Sequence, residues 1–166
     1  MDDRNIVLIG MMASGKTTVG GLLAAALGRP LVDTDALIEE REGRTIPAIF
    51  AADGEAYFRD REREAAEDLS HKSGLVIACG GGLPLYTDAM TPLHETGVVF
   101  WLCRDPGATY DSGVLGDRPL AQDGRVAFLE RFAQREPVYR RWAHHIITNP
   151  ASPEAGLNAI LEVLRA

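Results

Sequence analysis

The chain has 166 residues, 46% hydrophobic and 25% charged, with a net charge of −7. That is enough for one domain spanning 1–166 with a substantial core, and it excludes both a disordered chain and a basic nucleic-acid binder. No signal-like opening and no apolar run of membrane-spanning length occur, so the sequence predicts a cytoplasmic protein without membrane contact.

Asn5 to Gly10 is a short β-branched apolar run, the pattern of a fully buried strand. It turns into a helix from about Lys16 to Leu27, where Val19, Leu22, Leu23, Ala26 and Leu27 keep helical spacing and Gly28 ends it. Leu31–Asp33 is a second strand, followed by a helix to Glu42. Thr45–Asp53 and Gly54–His71 predict two further helices, the second thick with alternating charge. Leu75–Cys79 is a third buried strand, closed by Gly80, Gly81 and Gly82. A helix over about Thr87–His94 leads to a fourth strand, Val98–Cys103. Asp111–Gly124 is polar, glycine-rich and poorly periodic, which suits a mobile loop. A helix from Arg125 to Gln134 follows, Pro137 starts a short turn, His145–Thr148 makes an edge strand, and Leu157, Ile160, Leu161 and Leu164 stripe a last helix. Short apolar strands alternating with helices predict a parallel sheet wrapped by helices. The two cysteines, Cys79 and Cys103, end apolar runs and lack metal-ligand spacing, so they are expected as buried thiols.

The strongest local signal lies between the first strand and the first helix. Gly10 to Thr17, GMMASGKT, satisfies G-x-x-x-x-G-K-[ST] in the strand–loop–helix setting its mechanism needs. Gly10, Ala13, Ser14, Gly15 and Thr18 supply backbone around a helix N-terminus that cradles phosphates. Lys16 adds a point charge that can follow a γ-phosphoryl group, and the Thr17 hydroxyl can ligate Mg²⁺. A GTPase would need switch segments and a base-reading motif, and a motor ATPase more chain. The expectation is a magnesium- and ATP-dependent kinase of a small molecule.

The acceptor side should lie at the ends of the other strands. Asp33 and Asp35 end the second strand with one residue between them. A lone aspartate there would cap the next helix, whereas the pair can divide metal-water binding from contact with an acceptor hydroxyl. Arg59 and Glu62 sit in a charge-rich helix, where solvated side chains are equally compatible with the spacing. Three adjacent glycines, Gly80–Gly82, are costly to order unless backbone must approach something closely.

GMMASGKTTVG, LVDTDALIEEREGRTIPAIFAADGEAYFR, VIACGGG, GDRPL and REPVYRR, in this order and spacing, resemble shikimate kinase over about Asn5 to Arg141. The resemblance implies a nucleoside-monophosphate-kinase-like P-loop fold, with a five-stranded parallel sheet, helices on both sides and a lid at about 111–124. It implies transfer of the γ-phosphoryl of MgATP to the 3-hydroxyl of shikimate, in aromatic amino acid biosynthesis. Asp35 would then meet the acceptor hydroxyls, Arg59 and Arg135 would clamp the carboxylate, Glu62 would buttress an arginine, and the backbone at Gly80–Gly82 would close the site. Asp33 would reach magnesium through water, and Arg118 would swing onto the ATP phosphates. Two departures fall on the ATP side: Asp111 stands about where a second lid arginine is usual, with Arg104 as an alternative equivalent, and Thr148–Ser152 carries no basic residue. Two alternatives stay open, a related kinase such as gluconate kinase and a shikimate-kinase-like binding protein with weakened catalysis. A monomer is expected.

Overall fold

The computed structural model describes residues 2–12, 14–113, 124–148 and 150–166. Five strands, β1 (Asn5–Ile9), β2 (Leu31–Asp33), β3 (Val76–Ala78), β4 (Gly97–Cys103) and β5 (His145–Thr148), form one sheet of order β2-β3-β1-β4-β5. Every neighbouring pair is parallel.

Strand alternation explains how the layers are filled. Ile6 and Leu8 of β1, with Phe100 and Leu102 of β4, face one side. There they pack on Val19 and Leu23 of α1 (Lys16–Leu27) and Ile160 of α7 (Pro153–Arg165). Val7 and Ile9, with Val99 and Trp101, face the other side. They meet Leu69 of α3 (Ile46–Ser70), Met90 and Leu93 of α4 (Thr87–Thr96), and Tyr139 and Trp142 of α6 (Arg125–Trp142). A smaller cluster of Ile38, Ile49 and Phe58 joins α2 (Thr34–Glu42) to α3. Asn5 is 1% exposed. Its amide donates to Leu69 O (3.1 Å) and Lys72 O (2.9 Å), and its Oδ1 accepts from Leu75 N (2.9 Å), which fastens the end of α3 to the start of β3.

Most expected boundaries agree with the structure to within two residues. The two helices expected on either side of Asp53 run end to end as α3, with a sharp break at Gly54 (φ 84°, ψ 173°), a conformation that favours glycine. Two differences have physical causes. α6 does not stop at Gln134 but continues through Pro137 to Trp142. Pro137 and Ala133 lie on the exposed side, where the carbonyl freed by proline can meet water, while Tyr139 and Trp142 bury the opposite side. A short helix unassigned from sequence, α5 (Pro106–Asp111), is started by Asp105, whose Oδ2 accepts from Ala108 N at 2.8 Å, with proline in the first turn. Cys103 is half-buried rather than buried, whereas Cys79 is enclosed as expected. Of the expected lid only the two ends, 111–113 and 124, are described. Among the described residues no helix is long and apolar enough to cross a membrane.

Candidate active site

The cleft lies beyond the C-terminal ends of the strands, where loops leaving β1, β2 and β3 converge. Its volume is about 710 Å³, and its wall includes Lys16, Thr17, Asp33, Asp35, Gly80–Gly82 and Arg135.

The loop after β1 turns on two glycines. Gly15 is left-handed (φ 92°) at the start of α1, and a Cβ on Gly10 would lie 2.7 Å from Leu102 O. Lys16 Nζ donates to Gly10 O (2.7 Å) and Met11 O (2.9 Å) and lies 3.4 Å from Ser14 Oγ. The ammonium is thereby held within the curve of the loop, beside the amides that open α1. Gly15, Thr17 and Thr18 line the cleft, whereas Ala13 lies outside the described residues.

The two aspartates at the end of β2 take different positions. Asp33 caps α2, its Oδ1 accepting from Ala36 N at 3.1 Å, while its Oδ2 accepts from Thr17 Oγ1 at 3.0 Å. A hydroxyl and a carboxylate oxygen so placed suit a hard cation that keeps several waters and shares phosphate oxygens. Among the described residues no three His, Cys, Asp or Glu gather as a metal site. That is compatible with magnesium, which needs few protein ligands. Asp35, the second residue of α2, lines the cleft. Burial and the neighbouring Asp33 charge push its carboxyl upward, against the pull of Lys16 and Arg59.

The triple glycine is explained by space. None of the three has a positive φ. A Cβ on Gly80 would fall 2.5 Å from Asp35 Oδ1, one on Gly81 3.5 Å from Arg135 Nη1, and one on Gly82 3.0 Å from both terminal nitrogens of Arg59. Each glycine therefore lies against a different charged side chain expected to bind the acceptor. The segment is anchored by Gly80 N, which donates to Thr34 Oγ1 at 2.8 Å. Thr34, between the two aspartates, is a site residue that the sequence reading passed over.

Arg59 and Arg135 reach this wall from different helices, α3 and α6. Arg59 pairs with Glu62, which is 1% exposed, and its Nε lies 3.5 Å from Glu55 Oε1. Its guanidinium also sits over the Tyr86 ring, 4.6 Å from the centroid. Burial raises the Glu62 carboxyl to about 7 even though Arg59 opposes it. Burial disfavours the Arg59 charge, but Glu62 together with Tyr86 and Glu55 outweighs it and the net shift is upward. Arg135 Nε is buried without a hydrogen-bond partner, an arrangement that leaves a donor for an anion. Tyr139, absent from the expected site, donates from its hydroxyl to Gly81 O at 2.7 Å.

On the nucleotide side, Arg118 lies outside the described residues. Asp111 does not stand alone: Arg125 Nε donates to its Oδ1 at 3.0 Å. Arg104 and Pro153 line the same cleft. From sequence Arg104 is expected only as an alternative lid residue. Pro153 had carried no signal at all.

The family model of shikimate kinase matches residues 12–165. The chain is 44% identical to a shikimate kinase of Symbiobacterium thermophilum, over 97% of this chain and 96% of that protein. It is 42% identical to a shikimate kinase of Nitrosomonas europaea, over 97% and 78% respectively. Among solved structures, a shikimate kinase from Acinetobacter baumannii in complex with shikimate superposes with a TM-score of 0.86 at 34% identity, covering 98% of this chain and 91% of that one.

Proposed function

The chain belongs to the shikimate kinase family, and we propose that it transfers the γ-phosphoryl group of ATP to the 3-hydroxyl of shikimate. The observation that carries this reading is the wall of Gly80–Gly82, where a raised-pKa aspartate and two arginines from separate helices meet across bare backbone, tightly at Gly80 and Gly82 and at ordinary contact distance at Gly81. Shikimate is a small carboxylate with three hydroxyls, and it needs cations at one end and a proton acceptor at the other. Family membership disfavours the gluconate-kinase alternative.

In the proposed reaction the carboxylate is clamped by Arg59 and Arg135, each charged hydrogen bond contributing about 1.5–3 kcal/mol. Glu62 holds Arg59 in place. Asp35 orients the acceptor hydroxyl and takes its proton as the oxygen bonds to the γ-phosphorus. The bond from that phosphorus to the β–γ bridging oxygen breaks, and ADP leaves. Lys16 follows the transferring group, and the loop amides hold the β-phosphate. Thr17 and Asp33 would hold magnesium, which supplies charge neutralisation between the β- and γ-phosphates. Arg118 is assigned to the same phosphates from the family motif. We place the enzyme in the cytoplasm as a one-domain monomer.

Purified protein with MgATP should release ADP when shikimate is added and not when quinate or gluconate replaces it. Lys16→Met and Asp35→Asn should abolish turnover. Calorimetric binding of shikimate without turnover would instead favour a catalytically weakened binding protein. No binding at all would defeat the proposal.

A further inference from the structure

We infer that Tyr139 and Met11 are a positioning pair that makes the phosphate loop and the acceptor clamp act as one unit; this rests on the function proposed above. The phosphate loop and Arg135, one arm of the clamp, are far apart in the chain, and Met11 touches both. Its carbonyl accepts from Lys16 Nζ at 2.9 Å, so its backbone is part of the lysine's cradle. Its side chain turns the other way, and its sulfur lies 3.8 Å from Arg135 Nη1 and 3.7 Å from the Tyr139 hydroxyl. One residue thus links the cation that meets the phosphates to the cation that meets the acceptor carboxylate.

Tyr139 completes the link. It is 0% exposed and packs among apolar side chains, its ring 5.9 Å from that of Trp101. A hydroxyl at such a position is costly unless bonded, and Phe would fill the same space. The hydroxyl has one proton, and the Gly81 carbonyl at 2.7 Å receives it. Burial pushes the Tyr139 pKa up while the charge and hydrogen bonding of Arg135 oppose the shift, so the guanidinium also bears on this oxygen. Gly81 O and Met11 Sδ therefore meet at one buried hydroxyl, and Arg135 Nη1 lies against the same sulfur.

A phosphate that draws Lys16 Nζ away from the Met11 carbonyl must act on the residue whose sulfur supports Arg135 Nη1. A loop clamped on phosphates holds Met11, and through it Arg135 and Gly81, in one arrangement. Ordering that is complete once the nucleotide is bound need not be repeated when the acceptor arrives, so each ligand tightens the other.

The test is calorimetric titration of shikimate into the protein, alone and with saturating MgADP, which cannot phosphorylate it. Wild type should bind shikimate more tightly with MgADP by a factor in the usual range of about 5 to 150. Tyr139→Phe and Met11→Leu, which keep ring and volume, should each bring that factor below about 2. Together they should lose no more than either alone, because they interrupt one link. Should Tyr139→Phe lower the melting temperature too far for titration, Met11→Leu carries the same prediction. A wild-type factor of one overturns the inference. So does an equal weakening with and without MgADP, the mark of a merely structural role. Wild type that neither binds nor phosphorylates shikimate defeats the function itself, and is told apart by the absence of any titration signal.

Discussion

Gly80→Ala isolates the steric role of the triple glycine. The added methyl would lie 2.5 Å from Asp35 Oδ1 and 3.0 Å from both Oδ2 and Cγ. To reach the 3.4 Å at which ordinary contact begins, the nearer carboxylate oxygen must retreat by about 0.9 Å. Displacing a reacting group by about 1 Å costs on the order of 10²-fold in rate, or about 2.7 kcal/mol. Overpacking of this kind also costs about 1–3 kcal/mol of stability, and at roughly 2–4 °C per kcal/mol for a chain of this size the melting temperature should fall by several degrees. Two assays follow: shikimate-dependent ADP release, made in the wild-type background, and thermal melting, made in both the wild-type and the Asp35→Ala backgrounds. Removing the Asp35 carboxylate removes the obstacle, so Gly80→Ala should shift melting in wild type and scarcely at all in Asp35→Ala. An equal melting shift in both backgrounds, or full kcat in Gly80→Ala, would refute the steric account. Gly81→Ala, whose methyl meets Arg135 Nη1 at an ordinary 3.5 Å, should be the mildest of the three for stability.

Three further outcomes are expected. Because burial raises the Glu62 carboxyl to about 7, it gains a proton as the pH falls through 7, and Arg59 keeps only the longer, exposed pair with Glu55. The shikimate KM should therefore rise below pH 7 in wild type and stay high and flat in Glu62→Gln. Its folded pKa lies above the ordinary 4.5, so ionising this group costs native stability as pH rises from 4.5 to 7. Melting curves of Glu62→Gln should lose that dependence. Asp111→Arg replaces an anion near the expected phosphate site and gives up only an exposed pair with Arg125, worth under about 1 kcal/mol. It should lower the ATP KM at nearly constant stability; unchanged kcat and KM would remove Asp111 from the nucleotide site. Asn5→Ala removes three hydrogen bonds, two of them buried, far from the cleft. It should cost about 2 kcal/mol, near 4–8 °C in melting, with kcat unaffected.

The parallel sheet and most of its helices were legible because their signals are local. β1 is five consecutive apolar or enclosed residues, α1 keeps helical spacing between Gly15 and Gly28, and β5 was bounded to the residue. The errors arose where local signals and tertiary packing disagree. Pro137 is a legitimate stop by its own chemistry, yet Phe128, Tyr139 and Trp142 bury one face of α6 on both sides of it, and that burial outweighs one lost hydrogen bond. α5 did carry a signal, an aspartate before a proline, but six residues are too few for apolar periodicity to show.

The candidate site was legible to the extent that its residues recur as motifs, and incompletely so where one residue serves two neighbours. Spacing left open whether Asp33 caps a helix or meets a metal; in the structure one oxygen caps α2 and the other meets Thr17. Spacing gave Arg59 even standing as a solvated side chain; burial against Glu62 and Tyr86 places it at the wall instead. The glycines show why this limit is physical. Their sequence says only that backbone comes close to something, and the identities of the three neighbours, Asp35, Arg135 and Arg59, depend on helices α2, α6 and α3 packing against the same strand end. A side chain's absence is thus informative only once the side chains that occupy its space are known, which is why Gly80 and Asp35, 45 positions apart in the chain, must be tested as a pair.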